Sequence, residues 1–186
     1  EASSMFVEQA VRQHLGEAHV ALDLCAAPGG KSTLLRSLLP DDCVLVSNEV
    51  MRTRAQVLTE NIIKWGHPRS IVTSNYPADF TLLGPTFDLI LVDAPCSGEG
   101  MFRKDEGAIT EWSEENVEAC AIRQRKILQD VWAALRPGGV LIYSTCTFNH
   151  MENEENVQWI AETLGAKVLH VAIDPSWGIV EGNAGY

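Results

Sequence analysis

Short apolar runs alternate with amphipathic stretches along nearly the whole chain. The apolar runs have the length of buried strands, and the stretches between them have helical periodicity. Because parallel strands are joined by crossovers that are usually helical, this alternation predicts a doubly wound α/β domain with a mostly parallel sheet. The predicted strands cover residues 19–24, 43–47, 70–73, 87–92, 140–143 and 167–173.

The predicted helices cover residues 31–39, 51–65, 113–135 and 153–164. The third is expected to stop before Pro137-Gly138-Gly139, because proline and glycine terminate helices. No repeat, low-complexity tract or linker interrupts the pattern, so residues 1–186 are predicted to form one domain. Both ends resemble interrupted motifs, and we expect a closing edge strand and flanking regions to lie outside the chain.

With 186 residues, 46% of them hydrophobic, the chain is long enough to bury the core of one domain. It shows no apolar stretch that would span a bilayer and no signal peptide, so we expect a cytoplasmic protein. The five cysteines form no CxxC pair and the five histidines are dispersed. This argues against a disulfide framework and against a metal site. The net charge of −11 is unfavourable for binding nucleic acid.

A loop of small residues joins the first predicted strand to the first predicted helix, in the peptide LDLCAAPGGKS at 22–32. Small side chains let a ligand approach the backbone, and the start of a helix offers N–H groups. The spacing fits neither GxGxxG nor the P-loop motif, which disfavours a nicotinamide dehydrogenase. Glu49 follows the second strand about 20 residues later, where α/β folds hydrogen-bond a ribose. A nucleoside-bearing cofactor is therefore predicted.

Two cysteines follow the apolar runs 87–92 and 140–143, in the peptides Asp93-Ala94-Pro95-Cys96 and Ser144-Thr145-Cys146-Thr147. Parallel strands end at the same edge of a sheet, so both thiols and the Asp93 carboxylate are expected there. A thiolate that adds to carbon 6 of a pyrimidine makes carbon 5 nucleophilic, and a carboxyl group can stabilise the ring charge. The pattern therefore favours methylation of a base that has left its stack.

Three peptides, at 22–31, 93–100 and 144–147, resemble in the same order those of the RNA 5-methylcytosine methyltransferases of the Sun-domain family, called Fmu/Sun in bacteria. The peptides at 100–105 and 177–182 resemble its RsmF-like branch, which acts on small-subunit ribosomal RNA. The resemblance covers essentially the whole chain. It implies a Rossmann-like, S-adenosylmethionine-dependent methyltransferase fold, 16S ribosomal RNA as substrate, and a covalent cysteine–C6 cytosine adduct.

The resemblance also implies a role for each motif residue. Cys146 would attack carbon 6 and Cys96 would aid release of the methylated RNA. Asp93 would lie near both cofactor and target base, and Lys31 near the reacting base. The residues expected to contact S-adenosylmethionine are Cys25, Ala26, Ala27, Pro28, Gly29, Gly30, Lys31, Glu49, Asn75, Tyr76 and Asp93.

One position departs from the family pattern. The family usually has an acidic residue after the third strand to contact the adenine, and Tyr76 stands at the equivalent place here. Asn75, Tyr76 and Asp79 all remain candidates for that contact. Arg103 and Lys104 are candidates for gripping phosphate. The carboxylates within 152–155 are interpreted as structural charges that favour the dipole at a helix N-terminus.

Two alternatives to 16S ribosomal RNA methylation stay open. One is the same chemistry on transfer RNA, and the other is a cofactor-binding ribosome assembly factor without catalysis. The expected partner is RNA, with no membrane, no metal and a monomeric state. Because the chain is acidic, we expect RNA affinity to reside in basic regions outside it.

Overall fold

The computed structural model describes residues 2–182 and 185, and within them five strands form a single sheet. The strand order is β3-β2-β1-β4-β5, so the chain moves outward from β1 to one edge and then returns to the other side. The β1–β2, β1–β4 and β2–β3 pairs are all parallel. The strands are β1 Val20–Asp23, β2 Val44–Asn48, β3 Ser70–Thr73, β4 Phe87–Asp93 and β5 Leu135–Ser144.

Helices connect the strands, and three short 3₁₀ turns cover Pro77–Leu83, Glu99–Met101 and Pro175–Trp177. Before β1, α1 covers Ala2–Met5 and α2 covers Val7–His14. The helices after β1 are α3 Gly30–Leu38, α4 Arg52–Trp65, α5 Glu106–Glu111, α6 Glu114–Trp132 and α7 Glu154–Leu164. In the described part of the chain, no helix is both long enough and apolar enough to cross a membrane.

The sheet forms because its central strands are covered on both sides. Six residues of β4, from 87 to 92, are buried, which is typical of a central parallel strand. Helices α2 and α3 contribute Val7 and Leu35 to a core cluster that also contains Leu45 and Leu89. Helix α4 contributes Leu58 to a second cluster with the loop after β1. That loop is therefore packed into the protein.

Five of the six predicted strands are confirmed, and the sixth is wrong. Residues 167–173 have no regular secondary structure, and the apolar side chains of Val168 and Leu169 are about half exposed. An apolar run becomes a strand only where a neighbouring strand accepts its hydrogen bonds. The third long predicted helix ends at Trp132 instead of residue 135, and β5 already includes Pro137-Gly138-Gly139.

The chain divides into two compact units. The first comprises Glu1–Asp93 and Asp130–Tyr143, and the second comprises Ala94–Gln129 and Ser144–Tyr186. The first unit holds β1 to β4 and nearly all of β5. The second holds the peptides that follow β4 and β5, with α5, most of α6, and α7. The predicted cofactor loop belongs to the first unit and the two predicted catalytic cysteines belong to the second.

Candidate active site

The loop after β1 makes a tight turn into α3. Gly29, directly before the helix, has a φ of +112°, a backbone conformation that favours glycine. A Cβ atom at Gly29 would lie 3.1 Å from Leu58 Cδ1. The loop thus presents backbone and small side chains at a helix N-terminus, where N–H groups lack helical partners.

Helix α4 and strand β2 hold this loop in place through its backbone. The Ala26 N–H donates to the Asn48 carbonyl oxygen at 2.8 Å. The Arg54 guanidinium donates to the Ala27 carbonyl oxygen at 2.9 Å, and Asn61 Nδ2 donates to that of Pro28 at 2.7 Å. These partners bind main-chain groups, so they hold the loop in addition to the packing of Ala26 and Ala27 against Leu58.

Glu49 follows β2, and Arg54 connects it to the loop after β1. Its side chain is buried, and its Oε1 accepts from the Met51 N–H at 3.0 Å. Its Oε2 is 3.2 Å from Nη1 of Arg54, the residue that also binds the Ala27 carbonyl oxygen. Arg54 therefore links the loop and the carboxylate. The roles of both in binding a cofactor stay predictions.

Asn48 is a structural residue beside the predicted site that sequence reasoning missed. It is buried at the end of β2, and its Nδ2 donates to the carbonyl oxygens of Leu24 at 3.1 Å and Asn75 at 3.0 Å. Its Oδ1 accepts from the Asn75 N–H and from Thr73 Oγ1, both at 2.9 Å. One amide therefore joins the loops after β1 and β3. In the sequence, the one feature that could have identified Asn48 is that a polar residue ends an apolar strand.

Asp93 and Lys31 are brought together, with the Lys31 Nζ 2.7 Å from the Asp93 Oδ2. A third acid, Asp23, lies fully buried at the end of β1. Its Oδ2 accepts from Ser32 Oγ at 2.6 Å, whereas its Oδ1 has no hydrogen-bond partner. Burial raises the pKa of Asp23 to about 7, so this carboxyl group is partly protonated near neutral pH.

The three candidates for the adenine contact lie together after β3. Asp79 Oδ2 accepts from the Tyr76 N–H at 2.9 Å and from Asn75 Nδ2 at 3.4 Å. The Tyr76 side chain is 70% exposed. Asp79 thus caps the 3₁₀ turn that begins at Pro77, and its carboxylate already has structural partners.

In the second unit, Cys96 Sγ and Cys146 Sγ are 3.0 Å apart. This separation exceeds the disulfide bond length of about 2.05 Å. Cys146 is exposed and Cys96 is partly buried. The adjacent Cys146 thiol and burial both raise the pKa of Cys96, which therefore stays a thiol at neutral pH. Exposure singles out Cys146 as the candidate nucleophile.

The other cysteines lack the environment of a nucleophile. Burial, assisted by the negative charge of Asp23, raises the pKa of Cys25 to about 12. Cys43 and Cys120 are buried, and burial raises the pKa of each. A thiol that stays protonated reacts slowly, so these three side chains are packing residues. The role of Cys25 in binding a cofactor stays a prediction.

The turn after Cys96 lies directly against Cys146. The Gly100 N–H donates to the Cys146 carbonyl oxygen at 2.8 Å, and a Cβ atom at Gly100 would lie 2.5 Å from that oxygen. Glu99 accepts from the Phe148 N–H at 2.8 Å and from Trp112 Nε1 at 3.2 Å. Burial opposes ionisation of Glu99, but these donors outweigh it and lower its pKa.

Glu152 corrects the interpretation of the carboxylates within 152–155. It is fully buried and bonds to the peptide around Cys96, so it is no simple helix-dipole charge. Arg103 and Lys104 are exposed, and their proposed phosphate contacts stay predictions. Within residues 2–182 and 185, no cluster of three or more His, Cys, Asp or Glu side chains could hold a metal ion.

Comparison with known proteins finds a family model and a curated relative that agree with each other. Residues 11–174 match the family model described as 16S rRNA methyltransferase RsmB/F. A ribosomal RNA small subunit methyltransferase F from Pectobacterium atrosepticum is 41% identical over 161 residues, which is 86% of this chain and 33% of that protein. The chain therefore spans about a third of the length of this curated relative.

Two solved structures support the fold. The structure of NSun6 from Pyrococcus horikoshii with SFG is 30% identical, with a TM-score of 0.78 over 91% of this chain and 43% of that one. A methyltransferase homolog protein from Pyrococcus horikoshii is 31% identical, with a TM-score of 0.72 over 88% and 50% respectively. These likenesses confirm the predicted Rossmann-like methyltransferase fold.

Proposed function

This chain belongs to the 16S rRNA methyltransferase RsmB/F family, as its motifs predicted, and we propose that it is the catalytic part of an S-adenosylmethionine-dependent RNA cytosine-5 methyltransferase. The proposed substrate is 16S ribosomal RNA. The observation that carries the proposal is the pair of thiols of Cys96 and Cys146, 3.0 Å apart, with Cys146 exposed. A cofactor-binding assembly factor has no use for such a pair.

The residues around the β1 loop fit a sulfonium cofactor that carries a nucleoside. A Cβ atom at Gly30 would meet nothing within 4 Å, so a ligand has room to approach the backbone there. Glu49 is a buried acid beside the loop, and Asp23 keeps a buried oxygen without a hydrogen-bond partner. S-adenosylmethionine would supply an electrophilic methyl group. Residues 25–31 and Glu49 would hold it, with Asn75 or Tyr76 at the adenine.

Cys146 would form the covalent bond that activates the base. Its thiolate adds to carbon 6 of cytosine, and the electron pair of the C5–C6 double bond then makes carbon 5 the nucleophile. Carbon 5 accepts the methyl group and next loses its proton to a base. The electron pair of that C–H bond restores the double bond, and the Cys146 sulfur leaves as the thiolate. Cys96 would assist this last step by donating a hydrogen bond to the departing Cys146 sulfur, 3.0 Å away, which stabilises the charge of the leaving thiolate.

Asp93 would stabilise the cytosine ring while the adduct forms. Lys31 donates a charge-assisted hydrogen bond to Asp93 at 2.7 Å, which orients the carboxylate. When it carries a proton, the Asp93 carboxyl group would donate a hydrogen bond to N3 of the base, which would offset the negative charge that develops there. Lys31 therefore acts through Asp93 and near the reacting base.

The substrate is tested with the full-length protein and a tritiated methyl donor. The proposal expects label in 16S ribosomal RNA and in its cytosine-5 position, and none in transfer RNA. Label in transfer RNA alone would favour the alternative in which the same chemistry acts on transfer RNA. Binding of the cofactor without transfer to any RNA would favour the assembly factor.

The remaining parts of the proposal concern the whole protein. We propose that residues 1–186 act as one catalytic domain, that the protein is a monomer and that it works in the cytoplasm. The family match across residues 11–174 supports the single domain. Light scattering of the purified full-length protein tests the monomer, and a dimer mass would contradict it.

A further inference from the structure

Glu152 is a fully buried carboxylate that lies between the two peptides carrying Cys96 and Cys146. On the Cys96 side, Ser97 donates its N–H at 3.1 Å and its hydroxyl at 2.5 Å. Gln124 Nε2 donates to the Glu152 Oε2 at 2.6 Å and also to the Pro95 carbonyl oxygen at 3.0 Å. Glu152 therefore holds the residues on both sides of Cys96.

On the Cys146 side, Asn149 supplies the link. Its Nδ2 donates to the Glu152 Oε1 at 2.8 Å and to Thr147 Oγ1 at 2.8 Å. Its Oδ1 accepts from the Glu152 N–H at 2.9 Å. The hydroxyls of Ser97 and Thr147 are 3.1 Å apart, which closes the network between the two peptides.

We propose that Glu152 is a positioning residue that sets the separation of the Cys96 and Cys146 thiols. Each of its oxygens accepts hydrogen bonds from donors on or next to these peptides, and a buried carboxylate makes stronger bonds than a neutral acceptor. Its part in catalysis rests on the proposed function. Its effect on the separation of the two sulfurs does not depend on the proposed function.

Glu152→Gln tests this inference because it keeps the shape of the side chain. The new NH₂ group would replace one oxygen that now accepts hydrogen bonds and would face their donors. A buried donor without an acceptor is costly, so the two peptides should move apart. Glu155→Gln is the matched control, because Glu155 is an exposed carboxylate in the first turn of α7, which begins two residues after Glu152.

The readout is the thiol–disulfide equilibrium of Cys96 and Cys146 with glutathione in the full-length protein. One glutathione disulfide oxidises the two protein thiols to a disulfide and is reduced to two glutathione molecules. Mass spectrometry of the Cys96–Cys146 crosslinked peptide measures the ratio. We expect Glu152→Gln to lower the equilibrium constant for closure roughly tenfold or more. Glu155→Gln should match the wild type.

An unchanged equilibrium in a folded Glu152→Gln protein would overturn the proposal. Circular dichroism establishes whether the variant is folded. If it is not, Ser97→Ala decides, because it removes only the hydroxyl between Glu152 and Thr147. A severalfold loss of closure in Ser97→Ala supports the proposal, and no change overturns it.

This readout needs neither RNA nor cofactor, so it separates the inference from the proposed function. If closure weakens as expected but the wild type methylates no RNA, the positioning role stands and the proposed function fails. If the wild type is active, Glu152→Gln should lower kcat about 10–100-fold while the KM for RNA changes little.

Discussion

Identical side chains acquire different chemistry from their surroundings. Cys146 is exposed, whereas Cys25 is partly buried and its pKa rises to about 12 through desolvation and the charge of Asp23. Cys96 lies 3.0 Å from Cys146, and that contact together with burial keeps it protonated. Among the cysteines of this chain, the environment rather than the residue type distinguishes the proposed nucleophile and its proposed helper.

Gly100→Ala should disturb the cysteine pair directly. The added Cβ would lie 2.5 Å from the Cys146 carbonyl oxygen, and this contact involves backbone that cannot rotate away. We expect a loss of about 1–3 kcal/mol of unfolding free energy and a severe loss of methylation. Denaturant unfolding and the tritium assay measure these effects.

Gly16→Ala is the control for that substitution, because a Cβ atom at Gly16 meets nothing within 4 Å. It should change neither the free energy of unfolding nor activity. Equal stability and activity of the Gly100→Ala and Gly16→Ala proteins would contradict the close approach of the two peptides.

At the level of elements, the end of β1 carries Asp23, whose ionised form is destabilised by burial. Burial raises the pKa of Asp23 from 3.8 to about 7, with a smaller contribution from the charge of Asp93. A raised carboxyl pKa stabilises the fold below the unfolded value and loses that contribution as pH rises through the folded value. The wild type should therefore lose stability between about pH 4 and pH 7.

Asp23→Asn should remove this pH dependence, since an amide does not ionise. Asn can still accept the Ser32 hydroxyl, which lies 2.6 Å from the Asp23 Oδ2. Above pH 7 we expect the variant to be more stable than the wild type by up to about 4 kcal/mol. Asp42→Asn changes an exposed carboxylate and is the control. Parallel stability curves for the wild type and Asp23→Asn from pH 4 to 8 would contradict the prediction.

The elements also show which structural features could be predicted from the sequence and which could not. The run 87–92 identified β4 because a central parallel strand is apolar on both faces. The run 167–173 was wrongly predicted to be a strand, because apolar character alone does not provide a neighbouring strand to pair with. Asn48 was missed and Glu152 was interpreted only as a helix charge, because their partners are distant in sequence. Glu152 bonds Ser97, and Asn48 bonds Leu24 and Asn75.

At the scale of the whole molecule, the acidic charge and the length relative to the Pectobacterium protein both bear on where RNA binds. The chain has a net charge of −11 and spans about a third of the Pectobacterium relative. An acidic domain gains little from releasing the counterions of RNA. We therefore expect most of the RNA affinity to lie in regions outside this chain.

Salt titration tests this placement. The full-length protein should bind RNA roughly tenfold or more tightly than this chain alone at low salt. Its affinity should also fall more steeply with salt concentration, because more phosphates are neutralised. Equal affinities and equal salt slopes would show that the chain itself carries the RNA-binding surface.

The central claim is the division of labour between the two thiols, and a denaturing gel of protein mixed with RNA and cofactor tests it most directly. Cys96→Ala should accumulate a covalent protein–RNA species, because Cys146 still attacks while release is slowed. Cys146→Ala should form no such species and transfer no methyl group. A covalent species that persists in Cys146→Ala, or none in Cys96→Ala under conditions where the wild type methylates RNA, would contradict the account.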